Sequence, residues 1–319
     1  MKKLLTSIVL LTAVCLYPLA SNAQLLKNIM NSVKMPGKKS QKPDTTHAKT
    51  TNTSSDSASS AAVMKYLGKI GQANAVSPAD SAAAIATFKK SGGGGSGIHY
   101  QYLITAIGKQ KTPIKDTMNV YFTNGGQGRS EMNLAGMITA AAGVKTGGSP
   151  LVAISNINKR NYSVFLDADS KSYSLNIIDT SLINSGRDSY QVTKIGNETV
   201  DGYNCTRAKL TSNYGKGITK HSTTMDIWTS PDVPGYTMLK NWMSTQNVTP
   251  KMMQALDQAG CGGFMVKMSN QTKDLNYSMD LVKAEKNSFP ASMFIIPPGY
   301  TESKYNLMMM NMMQAAQKK

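Results

Sequence analysis

Hydrophobic and polar positions follow three rhythms along this chain, and each predicts a different kind of element. The first is a mostly apolar run from Leu4 to Leu19 behind Lys2 and Lys3, followed by the small residues Ser21-Asn22-Ala23. A basic start, an apolar centre and a small-residue site predict a secretory signal peptide over residues 1–23, cleaved after Ala23 to leave Gln24 first. The run contains Pro18 and is short for a membrane span, so the expectation is export to the periplasm or beyond without an anchor. Val14 stands where a lipidation signal before Cys15 needs a small residue, which argues against an outer-membrane lipoprotein.

The second rhythm is sparse. Over residues 24–76 apolar positions are too few to offset the entropy of ordering, and a disordered, basic Ser/Thr/Lys-rich tether is expected. Residues 77–97 then predict a short helix and a glycine joint: Ser77 as cap, Pro78 at the first helical position, Asp80 in the capping-box slot, Ile85 and Phe88 as the apolar contacts, and Gly92 to Gly95 as the hinge.

From Ile98 the rhythm changes to alternation by twos, the mark of strands with one buried face. IHYQYLITAI, DTMNVYFTN and GRSEMNL read as a meander with Asn124-Gly125 as a hairpin turn. LAGMITAAAGVKTGGSP fits no strand pattern and reads as a mobile loop. LVAISNIN, NYSVFLD and SYSLNIID follow, the last two joined at Ala168-Asp169-Ser170-Lys171. Tyr190 to Tyr236 is the clearest β pattern, with turns expected at Gly196-Asn197, Asp201-Gly202, Gly215-Lys216-Gly217 and Pro231-Asp232. MMQALDQA predicts a helix ending at Gly260, and GFMVKMSN, LNYSMDLVKAEK and FPASMFIIP complete the sheet, which Pro297-Pro298-Gly299 ends. The sum is an α+β domain over residues 98–306, a mostly antiparallel sheet of roughly ten to twelve strands with a few helices, then a Met-rich helix over 307–319.

Charge changes the picture little. The formal net charge of +17 is large, but the lysines spread along the whole chain without a run of five or six, and no aromatic residues interleave with them. Nucleic acid is therefore not an expected partner. Peripheral association with a membrane or with peptidoglycan through the basic tether is.

Tyr203 and Cys205 in VDGYNCTRAKL, the IWTSPDVPG segment and the closing FIIPPGYTES resemble the secreted bacterial family called domain of unknown function 4412. That family is similar to the lipoprotein carrier superfamily, and the hairpin NYSVFLDADSKSYSLNII and the strand GGQGRSEM resemble parts of such carriers. The resemblance covers about Ile98 to Ser303. It implies a periplasmic protein whose curved sheet, an incomplete barrel, wraps around helices and leaves an apolar cavity for a lipid or lipoprotein acyl chain.

Catalytic chemistry finds little support in the residues. No Gly-x-Ser-x-Gly elbow, HExxH helix or phosphate loop is present. His47, His99 and His221 lie far apart, neither of the later cysteines belongs to a CxxC pair, and no metal site or cofactor is expected. Asp167 and Asp169 begin like a calcium loop but lack its glycine and final glutamate, so a hairpin turn is the better reading. Asp201, Asp226 and Asp280 are surface or turn carboxylates unless the fold brings them together. Cys205 and Cys261, an even pair in an oxidising compartment, predict a disulfide worth up to about 4 kcal/mol, with two buried thiols as the alternative.

Methionine is abundant, with Met308, Met309, Met310, Met312 and Met313 clustered at the end of the chain. Adaptable packing or a ligand lid, an exposed partner-binding helix, and Cu(I) binding by thioethers all fit such a cluster. The leading expectation is a non-enzymatic envelope protein binding a hydrophobic ligand, with Trp228, Trp242, Phe264, Phe294, Met309 and Met313 as candidate lining. A structural or adaptor module without ligand is the alternative from another class, and a hydrolase of unknown type stands behind both.

Overall fold

The computed structural model describes residues 78–90, 93–107, 112–133, 150–156, 162–177, 189–214, 221–237, 251–271, 276–303 and 307. All belong to one compact unit that includes Val76–Lys319. The signal peptide, the tether, Ser77, the 134–149 loop, the Gly215–Gly217 turn and the terminal methionine helix lie outside the described residues.

Helix α1 (Pro78–Lys90) comes first. Strands β1 (Gly95–Ile107), β2 (Pro113–Thr123), β3 (Gln127–Met132), β4 (Leu151–Asn156), β5 (Tyr162–Asp167) and β6 (Ser172–Ile177) follow. Then come β7 (Ser189–Val200), β8 (Tyr203–Tyr214) and β9 (His221–Ser230). Helix α2 (Lys251–Gln258), β10 (Phe264–Gln271), β11 (Asn276–Phe289), a 3₁₀ turn (Ala291–Phe294) and β12 (Thr301–Glu302) complete the series. The described strands form one open sheet of 12, in the order β12-β6-β5-β4-β3-β2-β1-β11-β10-β9-β8-β7. The assigned pairs are antiparallel except β12 with β6, so the sheet is mixed.

This order forces the sheet to curl. Ten interstrand steps separate β6 from β7, and at about 4.8 Å each a flat sheet would set them about 48 Å apart. Ile177 and Ser189 are twelve residues apart in the chain, a reach of at most about 43 Å when fully extended. The two ends of the sheet must therefore bend toward each other, although β12 and β7 remain as edges and no barrel closes.

Several local expectations change. Gly196-Asn197 makes no turn: β7 runs through it to Val200, and the register slips between Lys194 and Gly196, a bulge at the half-exposed Ile195. The true hairpin turn is Asp201-Gly202, with φ of 49° and 83°, the left-handed pair that a two-residue turn needs. FPASMFIIP is not a strand, because after Phe289 the chain turns at Pro290 into the 3₁₀ turn. Pro297-Pro298-Gly299 does not end the sheet, since β12 follows it and pairs with β6. The first strand begins at Gly95 rather than Ile98, and Gly97 pairs with Thr123 and Asn287.

Alternation assigns two faces, named here after Tyr100 and Tyr121. On the Tyr121 face, α1 and the 3₁₀ turn cover β4 to β6: Ile85 and Phe88 pack with Ile154, Val164, Leu166, Tyr173, Phe289, Phe294 and Ile296. The carbonyl of Phe88 accepts from the Ile296 N–H at 2.8 Å. Helix α1 is thus part of the domain core. On the Tyr100 face at the other end, Leu256 of α2 and Cys261 pack on Ala208, Leu210 and Ile227.

One half-buried acid weakens this arrangement. Asp116 is paired with Ile104; its Oδ1 accepts from the Thr117 N–H, and its Oδ2 is buried without a partner. Burial raises its carboxyl above the usual range, against the lowering effect of that hydrogen bond. A raised folded value favours the protonated form, so this contribution is present at low pH and is lost as pH rises through the folded value. Asp116→Asn is expected to raise stability at pH 7 by roughly half a kcal/mol, discounted for partial solvent screening. Melts at pH 7 and at about pH 3.5 check this, since the gain should vanish at the lower pH; an equal gain at both would rule the cause out.

Candidate ligand-binding face

The centre of the Tyr100 face is a broad apolar patch that the register assembles. Tyr100 and Tyr102 on β1 stand opposite Val120 and Met118 on β2, with Phe122 opposite Ile98, and Ile104 of the same face stands opposite Asp116. On the other side Met279 and Leu281 of β11 face Ile104 and Tyr102, and Met268 of β10 faces Met279. Apart from Asp116, all of these side chains are buried. Phe264 stacks on Tyr100 with ring centroids 4.4 Å apart, and Phe122 meets Tyr100 edge-on at 6.1 Å.

The phenols in this face are satisfied by distant backbone. Tyr100 donates to Pro234 O at 2.8 Å and Tyr102 to Met265 O at 3.1 Å. Burial pushes both phenols well above their ordinary value, with neighbouring tyrosines adding to it. They act as neutral donors that pin the 231–237 turn and β10 to the central strands. Toward β3, β4 and β5 the same face continues by register with the small residues Gly128, Ser130, Ala153, Ser155 and Ser163 beside the larger Met132, Leu151 and Phe165.

The opposite face is polar where it is not covered by α1. Arg207 of β8 bonds Asp226 at 2.7 Å and lies 3.9 Å from Glu198, while Lys267 bonds Asp280 at 2.7 Å. Trp228 sits between Arg207 and Lys267, whose charges lie 4.9 Å and 5.7 Å from its ring, and its indole N–H donates to Glu198. Further along, His99 stacks on Tyr121 at 4.5 Å and bonds Asn119. Arg129 bonds Glu131 and the carbonyl of Met293.

The structure separates the aromatic candidates that the sequence suggested. Trp228 lies in the polar row of the Tyr121 face, Phe264 against Tyr100, and Phe294 in the core under α1. Trp242, Met309 and Met313 lie outside the described residues. Sequence reasoning passed over Tyr100, Tyr102, Met118, Val120 and Phe122, although their alternation in IHYQYLITAI and DTMNVYFTN was the signal that places them together.

Cys205 and Cys261 are not joined; both are buried free thiols. Cys205 stands opposite Glu198 and so shares the Trp228 face, whereas Cys261 packs on Ala208 and Ile227 on the other face. Side chains on opposite faces point apart, and a bridge cannot span them. Burial raises both thiols, which keeps them protonated. The three aspartates do not meet: Asp201 is in the hairpin turn, Asp226 pairs with Arg207 and Asp280 with Lys267. Asp167 is used as a turn cap, its Oδ1 accepting from the Asp169 N–H at 2.9 Å. Among the described residues no three His, Cys, Asp or Glu side chains converge as metal ligands.

Among solved structures the chain is similar to a LolA superfamily protein from Nitrosomonas europaea, at 7% identity and a TM-score of 0.26, covering 69% of this chain and 98% of that one. It is also similar to a candidate lipoprotein from Parabacteroides distasonis, at 9% identity and a TM-score of 0.23, covering 59% and 95%. A candidate outer membrane lipoprotein-sorting protein domain from Vibrio parahaemolyticus follows at 5% identity and a TM-score of 0.22, covering 65% and 91%. Likenesses this remote carry no function with them, and no curated protein matches. A family model does match, over residues 109–300, from the connection between β1 and β2 to the turn before β12, and by it the chain belongs to the family described as Domain of unknown function (DUF4412).

Proposed function

We propose that this is a non-catalytic protein of the cell envelope that holds an acyl chain or a comparably apolar ligand along the Tyr100 face of its curled sheet. The observation that supports it most is the run of aromatic and thioether side chains across four adjacent strands, β2, β1, β11 and β10, from Phe122 through Tyr100 and Met279 to Met268. Thioethers adapt to varied apolar shapes, and aromatic rings give large contact area at low entropic cost. Trp242, Met309 and Met313 are proposed as further lining from the segments beyond. The signal-peptide pattern supports the compartment, and the raised, buried thiols offer no nucleophile.

Native mass spectrometry of residues 24–319, purified without detergent from the periplasm and then solvent-extracted, tests this reading. The expected spectrum carries an adduct of lipid mass that extraction removes. A bare polypeptide that also takes up no added acyl lipid would instead mark the apolar face as closed core and the protein as a structural module.

A further inference from the structure

We propose that Asn124, in the turn between β2 and β3, is a site of spontaneous covalent modification, closing onto the amide of Gly125 and passing through a succinimide to aspartate and isoaspartate. The site is independent of whatever the Tyr100 face holds.

Asn124-Gly125 is the one Asn-Gly pair in the chain, and both residues are exposed. They are the two central residues of a β-turn that the Gly126 N–H closes by donating to Thr123 O at 3.0 Å. Such a turn uses the N–H of its fourth residue and leaves that of its third without a partner inside the turn. Among the described residues, neither the Gly125 N–H nor the Asn124 side chain makes a hydrogen bond. Glycine also has no Cβ to hold the Asn124 amide away from its nitrogen. The reacting groups are therefore adjacent, wet and unoccupied.

Water supplies everything else the reaction needs. The Gly125 nitrogen gives up its proton to water or hydroxide and bonds Cγ of Asn124; the Cγ–Nδ2 bond breaks, and that nitrogen leaves as ammonia. A second water opens the five-membered ring. Attack at Cγ gives aspartate in the original main chain, and attack at the other carbonyl gives isoaspartate, whose main chain runs through Cβ and Cγ. Either product adds a negative charge to an uncharged turn. Isoaspartate also lengthens the chain by one methylene between the Asn124 N–H, which donates to Ser96 O at 2.9 Å, and the Gly126 N–H. The tie to the start of β1, just past the joint from α1, is the one it disturbs.

The test ages residues 24–319, wild type and Gly125→Ala, at pH 8 and 37 °C and follows the tryptic peptide Asp116–Arg129 by mass spectrometry. That peptide also contains Asn119, which precedes Val120 within β2 and serves as the internal control. The expected gain is about 1 Da at Asn124, at least about tenfold faster than at Asn119 and slowed at least about tenfold in Gly125→Ala. The variant should melt as wild type does, because the nearest atom to its new Cβ is the end of the Gln127 side chain, at 3.0 Å, and Gly125 is not left-handed. Unfolding in urea should change the Asn124 rate by less than about threefold, since the turn does not shield it. A rate at Asn124 no faster than at Asn119, no slowing in Gly125→Ala, or a rate that rises about tenfold on unfolding overturns the site.

Discussion

A chain shortened to begin at Ile98 is expected to lose its cooperative thermal transition, while one beginning at Val76 keeps it. The shorter chain still contains all of residues 109–300 that match the family model, but it lacks Ile85 and Phe88, which fill the core over β4 to β6. Phe88 is fully buried, and its carbonyl is the partner of Ile296. Truncating that ring alone, as Phe88→Ala, should cost about 3–5 kcal/mol, a large part of the total stability of an ordinary domain. Denaturant melts of the two fragments and the point variant check the claim. A fragment from Ile98 with an unchanged midpoint would show α1 to be an ornament of the fold and not part of its core.

Gly97→Ala should be the most damaging single-methyl change among the described glycines, and Gly196→Ala nearly neutral. Gly97 lies in β1 between β2 and β11, and an added Cβ would stand 1.9 Å from the carbonyl oxygen of Phe122. That atom is backbone held in the central ladder, so relief requires the strands to move apart, at a cost of about 3 kcal/mol or more. At Gly196, in the bulge of the edge strand, an added Cβ meets nothing within 4 Å and the backbone is not left-handed. A comparison of the two midpoints under the same conditions decides it; similar losses would mean that β1 can shift to admit a side chain.

Strands and their faces were largely legible in the sequence because alternation is a local signal. The pattern in HSTTMDIWTS already puts Met225 and Ile227 on one face, and hence Trp228 with Asp226 on the other. Choosing Trp228 as ligand lining ignored that parity and weighed the aromatic ring alone. The Gly196-Asn197 turn failed for a related reason: a glycine within an edge strand can relieve a bulge as well as reverse the chain. The disulfide failed because an even cysteine count says nothing about faces. Strand order was not legible at all, since the pairing of β1 with β11 joins residues nearly two hundred apart and no local pattern records it.

That long-range pairing also sets how the molecule must reach its native state. β1 is the middle of the finished sheet, yet as the chain is synthesised its β11 side has no partner until residue 289 has emerged. For that interval the six-strand amino-terminal meander carries a 13-residue open edge of alternating core residues, Tyr100 and Tyr102 among them, a template for any passing strand. Folding is therefore set by a late, non-local closure in the slow regime of β-rich topologies, on the order of milliseconds to seconds. A chaperone that acts on this protein has most to gain by shielding Gly95–Ile107 until its last long strand arrives.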